Sequence, residues 1–408
     1  MRRVFAPLAL PIYRRLWTAS IVSNLGTMMH AVGAAWLMTQ LTTSPIWVAM
    51  VPVAALGPSL VMGLPGGVLA DHFDRRLVLA WAQTWMMFAA AGLGVLAASG
   101  RATPLLVVIL VVALGSGNAI TIPTWQSLVQ DIVPPGQVAS AVALGSISFN
   151  AARMVGPAVG GVVVAASGPS TAFFINSVSF LGIVVVLLTW RQGRPPPRPA
   201  RALTGILRGI VSVASARHLR GPFARVVSLC FCASAIFALL PLFAREQLGL
   251  SPAGYGGLLG VFGAGALVGS AVVPALRNAW RPTRIVALGG GLTVLGLCLL
   301  ALPLGLPGAV PALFLCGSGW TSALNNLNVS VQTSVPGSMR GRALSCYFLL
   351  LQGGFAAGAA TAGFVAKSTG IPATFGLAAA TLAGSLLLTS RLPLPEGPPE
   401  GFGEEQAL

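Results

Sequence analysis

The sequence predicts an all-α membrane protein of twelve transmembrane helices, arranged as two pseudo-symmetric six-helix bundles. Three observations lead there. Apolar residues make up 55% of the 408 positions and mean hydropathy is +0.84, far beyond the needs of a soluble core. The apolar positions fall into an almost unbroken series of runs of about 20 residues, the length that crosses a hydrocarbon core. Finally, the basic residues occupy short connections on alternate sides of these runs, and the two halves of the chain match at an offset of about 202 positions.

The opening MRRVFAPLALPIYRRLW is a short lead-in that stays attached: its apolar part contains Pro7 and Pro11, and it ends at Arg14 and Arg15 without a cleavage site. Spans are then expected at 16–39, 46–69, 77–98, 104–130, 139–166 and 171–190. After a basic, proline-rich linker at 191–221 come 222–245, 254–276, 284–303, 308–332, 343–366 and 371–390. The expected domains are thus an N-terminal bundle (1–190), the cytoplasmic linker, a C-terminal bundle (222–391) and a disordered cytoplasmic tail (392–408). Nineteen arginines flank the even-numbered ends or lie in the lead-in and linker, against Arg101, Arg245 and Lys367 on the other side. The positive-inside rule places both termini in the cytoplasm. In a bacterium that means the inner membrane.

A net charge of +16 also suggests nucleic acid, but the arginines are not interleaved with stacking aromatics, so no nucleic-acid partner is expected. Cys230, Cys232, Cys298, Cys316 and Cys346 lie inside apolar runs with no metal-ligand spacing. They read as small buried hydrophobes.

At the 202 offset, Val129-Gln130 matches Val331-Gln332, Val133-Pro134 matches Val335-Pro336, and Gly156 and Gly161 match Gly358 and Gly363. Gly67 falls on Gly269, Arg75 on Arg277 and Asp71 on Val273. Parallel repeats of this kind belong to transporters that rock two halves about a midplane site.

Charged residues are only 8% of the chain, yet Asp71, Asp74, Arg75 and Arg76 crowd into six positions between two apolar runs. This GGVLADHFDRR resembles the loop 2–3 signature of the major facilitator superfamily, Gly-x-x-x-Asp-Arg-x-Gly-Arg-Arg. Gly67, Asp71, Arg75 and Arg76 fit, whereas His72 replaces a base and Asp74 a glycine. ARMVGPAVGG resembles the superfamily's antiporter motif through Gly156, Pro157, Gly160 and Gly161. The Asp-x-Phe-Asp-Arg-Arg variant, with Asn150 and Arg153 before Gly-Pro, is most similar to the branch of enterobactin and macrolide exporters. The resemblance implies the major facilitator fold. It also implies an inner gate in which Asp71 docks on a helix of the other half and Arg75 bridges Asp71 to Asp131. His72 and Asp74 receive no role.

Two residues stand out inside the spans. Arg153 lies mid-span, where a charge costs a few kcal/mol or more, and it contacts either a substrate or a polar neighbour such as Asn150 or Gln83. His30 shares a small, polar face with Ser23, Thr27 and Ala34, and is either a proton carrier or a structural histidine. Asn118, Thr121, Trp125 and Gln126, with Trp320, Asn325, Asn326 and Asn328, are candidate cavity residues or interhelical ties.

The expected activity is export of a small or medium-sized organic solute (drug, macrolide or siderophore) by alternating access. There is no Walker loop, so ATP is not the direct driver; the expected driving force is the proton gradient, by antiport, with no cofactor and no metal. The partners are the substrate and the lipid bilayer, and the protein is expected to be a monomer. Uptake on the same fold, or a non-transporting membrane sensor, are the competing expectations. An enzyme is not expected, because no nucleophile–base pair stands out.

Overall fold

Hydrocarbon offers no partner for a backbone amide, so a spanning segment must satisfy its own hydrogen bonds as a helix. The computed structural model describes residues 5–190, 216–337 and 339–390, with 392 and 394 beyond them. Among the described residues, a short 3-10 turn at Ala6–Ala9 precedes twelve long helices. They are α1 (Pro11–Leu41), α2 (Pro45–His72), α3 (Arg75–Ala98), α4 (Pro104–Ile132), α5 (Val138–Ser167) and α6 (Pro169–Thr189). There follow α7 (Arg220–Leu242), α8 (Pro252–Ala279), α9 (Pro282–Ala301), α10 (Gly305–Thr333), α11 (Arg340–Thr369) and α12 (Ile371–Ser390). Eleven are apolar enough to cross a bilayer on composition alone. The exception, α10, carries Asn325, Asn326, Asn328 and Gln332 in its second half.

Most of the helices begin before the expected spans, whereas α6, α7 and α9 end one to three residues short of them. Proline at the first helical position starts α1, α2, α4, α6, α8 and α9, where its missing N–H is no loss. Thus α1 takes in Arg14 and Arg15, and α2 continues through Asp71 to His72. The lead-in is not loose either: Pro7 is buried, and Leu8 and Leu10 pack against a cluster of Tyr13, Val129 and Leu144. The linker at 191–215 and the tail after 394 lie outside the described residues.

The described residues within 1–43, 54–201 and 249–260 form one compact unit, and those within 44–53, 202–248 and 261–408 another. In the first unit, α1 packs on α5 and α6, and α3 packs on α4 and α6. In the second, α7 packs on α11 and α12, and α9 packs on α10 and α12. The same four pairings therefore occur twice. Gly168 (φ 80°) joins α5 to α6 and Gly370 (φ 83°) joins α11 to α12, both at a ψ near extended, a conformation essentially confined to glycine.

The division departs from the expected boundary at two helix starts. Gly161 on α5 admits Pro252, Ala253 and Gly256 at the start of α8, within the first unit. Gly363 on α11 admits Pro45, Ile46 and Ala49 at the start of α2, within the second.

These contacts correct the repeat. The 202 offset holds for α4, α5 and α6, but α2 and α3 correspond to α8 and α9 five residues further along. Gly117 meets Ala82 and Met86 of α3, and its counterpart Gly319 meets Gly289 and Thr293 of α9. The extra residues are the π-helical turn Phe243–Gln247 that follows α7, with no equivalent after α1. Register returns because α9 has 20 residues where α3 has 24, and its following connection is shorter. Arg75 therefore does not match Arg277: one opens α3 and the other lies in the last turn of α8. Asp71 corresponds to Asn278 and not to Val273, and Gly67 to Pro274 and not to Gly269.

Replacing Gly168 or Gly370 by alanine is expected to cost about 1–3 kcal/mol through backbone strain. Thermal unfolding in detergent would show it as a lowered midpoint. Gly145→Ala, where an added Cβ meets nothing within 4 Å, should leave the midpoint in place.

Candidate functional site

The charge-rich turn begins with Asp74. Its carboxylate accepts from the Arg76 N–H at 2.9 Å and so caps the N-terminus of α3, which supplies the role that sequence reading withheld. The next residue, Arg75, donates from Nη1 to Asp131 Oδ2 at 2.7 Å, and the two side chains are only 10% and 9% exposed. Both ions sit at unfavourable helix ends. A cation opens α3 and an anion closes α4, each repelled by its own helix dipole. Their pairing removes both penalties at once. Arg76 donates to the Leu188 carbonyl at 2.9 Å, placing positive charge at the C-terminal end of α6, where the dipole welcomes it.

His72 is exposed. The side chains of Gly67 and Asp71 lie outside the described residues, although both positions are helical. Half of the expected bridge is thus in place, between Arg75 and Asp131.

The second motif forms a packing face on α5. Gly156, Pro157, Gly160 and Gly161 are all buried. A Cβ at Gly156 would meet Met28 and one at Gly160 would meet the Met29 backbone, so these two glycines let α1 approach. A Cβ at Gly161 would strike the Pro252 carbonyl and the Gly256 backbone, which cannot rotate away. Pro157 removes one helical hydrogen bond, and its carbonyl faces Gly256.

Arg153 is half-buried one turn before this face. Of the neighbours expected for it, Gln83 donates through its amide nitrogen to Thr121 Oγ1 at 3.5 Å, and Asn150 through its own to the Ser146 carbonyl at 2.8 Å.

The small face of α1 is sealed against α6. Ser23, Gly26, His30 and Gly33 are buried; Gly26 lies against Asn176 and Ser179, Gly33 against Ala172 and Phe173. Thr27 donates to Asn176 Oδ1 at 3.4 Å. The His30 ring lies 4.6 Å from that of Phe173, and both of its nitrogens lack a hydrogen-bond partner among the described residues. Asn176 went unnoticed in the sequence, since a lone asparagine in an apolar run carries no pattern of its own.

The remaining candidates divide. Trp125 is half-buried and packs with Leu16, Leu79 and Leu128, so it belongs to the first unit's core. Asn118 is exposed on α4. Asn325 donates to Ser270 Oγ at 3.0 Å and ties α10 to α8, while Asn326 donates to the Pro282 carbonyl at 2.7 Å at the start of α9. Trp320 joins Phe237 and Phe262 in an aromatic cluster that Phe355 extends through Phe237. Arg225, not singled out by sequence, is buried and donates to the Leu392 carbonyl at 2.8 Å and to that of Thr389, at the end of α12.

The family model for transmembrane secretion effectors matches residues 3–402. The chain belongs to this family of the major facilitator superfamily. Enterobactin exporter EntS of Shigella boydii is 26% identical over 341 residues, covering 81% of this chain and 80% of the relative. An uncharacterised major facilitator transporter of Bacillus subtilis, YfiS, is 23% identical and covers 80% of both chains. Among solved structures, a point mutant of the nucleoside transporter NupG aligns with a TM-score of 0.77 at 13% identity, covering 93% of this chain and 99% of that one. A bacterial homologue of the human lysosomal transporter Spinster gives 0.73 at 12% identity, over 93% and 96%. These structures show the fold. The chain is accordingly a multi-pass membrane transporter of the major facilitator fold, and not an enzyme.

Removing either ion of the buried pair, by Arg75→Ala or Asp131→Asn, is expected to cost about 3–5 kcal/mol, because the survivor stays buried without its partner. Exchanging both, Arg75→Asp with Asp131→Arg, should recover most of that loss, since each charge then suits its helix end. Thermal unfolding of the three variants checks this; a double variant no better than the singles would refute the pairing argument.

Proposed function

We propose that this transporter exports a small or medium-sized organic solute of the siderophore, macrolide or drug type. It would work by alternating access in the inner membrane, as a monomer with both termini cytoplasmic. The observation that carries this reading is the match to enterobactin exporters along about four-fifths of both chains. The close-packed Gly156-Pro157 and Gly160-Gly161 face is the feature of the exporter branch that the chain retains.

In this reading the α2–α3 turn is the inner gate. Gly67 allows close approach, Asp71 is the latch, and Arg75, Arg76 and Asp131 hold the turn in place. The strong Arg75–Asp131 pair supports a rigid turn that moves as a body with α3 and α4. Arg153 on α5 favours an anionic or neutral substrate, with Asn118 and Asn325 as polar contacts; Trp125 would contribute through core packing.

Proton antiport supplies the drive, with His30 as the carrier. A proton on His30 places a charge between α1 and α6, where no described acid meets it and a buried charge is costly. The seam must then loosen or gain water, which couples protonation to helix movement.

Deleting the gene should raise intracellular accumulation of the substrate and susceptibility to it, and Arg153→Ala or Asp71→Asn should reproduce that phenotype at normal membrane abundance. His30→Ala should abolish the response of proteoliposome transport to an imposed pH gradient. Lower accumulation on deletion would assign uptake instead, and unchanged accumulation would sink the export reading.

A further inference from the structure

The second unit lacks the acids that neutralise the first unit's charged turn. In the first unit, Asp74 caps α3 and Asp131 at the end of α4 neutralises Arg75. In the structural register, Asp74 corresponds to Arg281, Arg75 to Pro282, and Asp131 to Thr333. Both acids are gone. Arg281 stands before the 20-residue α9 and makes no side-chain cap; Pro282 has no N–H and the Arg284 N–H donates to the Arg281 carbonyl at 3.0 Å, which leaves the Thr283 N–H as the first-turn amide without a cap. Arg277, half-buried in the last turn of α8, has a buried Nη1 with no hydrogen-bond partner among the described residues. Among the described residues of this unit the only acid is Glu246, in the π turn at the far end of α7.

Where the first unit has its ion pair, the second has a space. A cavity of about 350 Å³ is lined by Arg277, Asn278, Trp280, Arg281, Pro282 and Thr333. Trp280 is 42% exposed at its wall. Two guanidiniums and an uncapped helix start at one cavity together favour an anion from outside the chain. The indole adds an apolar, interface-seeking surface that a free ion would not use.

We propose that this cavity binds the phosphate group of an anionic phospholipid from the leaflet at the arginine-rich end. Arg277 and Arg281 hold the phosphate, the Thr283 N–H at the start of α9 donates to it, and Trp280 lies against the glycerol and upper acyl region. The lipid takes the part that Asp74 and Asp131 play in the first unit. Membranes rich in zwitterionic lipid leave the α8–α9 turn uncompensated.

The test is native mass spectrometry of the full-length protein, delipidated in detergent and titrated with phosphatidylglycerol or phosphatidylcholine. The wild type should retain one phosphatidylglycerol in preference to phosphatidylcholine, and Arg277→Gln with Arg281→Gln should weaken that retention about tenfold or more, as loss of charge-assisted contacts implies. Arg101→Gln, in the connection between α3 and α4, should leave it unchanged. Thr333→Asp separates the proposal from simple misfolding: by restoring the missing acid it should abolish lipid retention and raise the melting temperature together.

Equal retention of the two lipids, or full retention by the double arginine variant, would overturn the proposal. So would displacement of the lipid by millimolar inorganic phosphate, which would make this a site for a free ion. A tenfold gain in lipid binding on deleting residues 392–408 would assign the cavity to the acidic tail instead.

Discussion

Helices in hydrocarbon gain little from hiding apolar side chains, because the lipid is as apolar as the neighbouring helix, so they hold together by close approach. That constraint governs this molecule. Gly156 and Gly160 on α5 admit α1, Gly117 on α4 admits α3, and Gly319 on α10 admits α9; at each, an added Cβ would collide with a backbone or a packed side chain. The polar ties are laid along the same seams. Thr27 meets Asn176 where Gly26 brings α1 against α6, and Ser322 meets the Gly269 carbonyl where α8 meets α10. Small residues set the distance, and side-chain hydrogen bonds then set the rotation.

Charge follows a second rule, that each buried ion needs a partner matched to its depth. Arg75 and Asp131 solve this mutually, and their placement at the wrong helix ends makes the pair stronger than its Coulomb term alone suggests. Arg225 solves it with the carbonyls at the end of α12, and Arg76 with the last turn of α6. Helix termini thus serve as counter-ions in a chain with eight acids against 24 basic residues. The α8–α9 turn, with Arg277 and Arg281 and no described acid, departs from that economy.

The fold was legible because its signal is one-dimensional. A run of about 20 apolar residues can only be a span, and all twelve expected spans are helices. The doubled architecture was legible too, through Gly156 and Gly161 on α5 and their matches Gly358 and Gly363 on α11. Its register was not. A π turn after α7 inserts residues where the sequence is equally apolar on both sides, so an ungapped alignment slips there without any penalty. The Arg75–Arg277 match was a product of that slip. The Arg75–Asp131 pair was legible because acids are so scarce that the choice of partner was nearly forced. His30, Trp125 and Asn325 were not, because a polar or aromatic residue on a helix can face a cavity, a neighbour or lipid with the same spacing.

What the sequence determined by itself was therefore everything that depends on length, hydropathy and scarcity: twelve helices, two repeats, the family motifs and one ion pair. Tertiary structure alone decided which face each helix presents. It turned the small face of α1 onto α6, put Trp125 into the core, and exchanged the starts of α2 and α8 between the two compact units. It also opened a cavity beside Thr333 where its counterpart Asp131 is paired. The reason is physical. A helix rotates about its axis without changing its hydropathy, and only the shapes of its neighbours choose among the rotations.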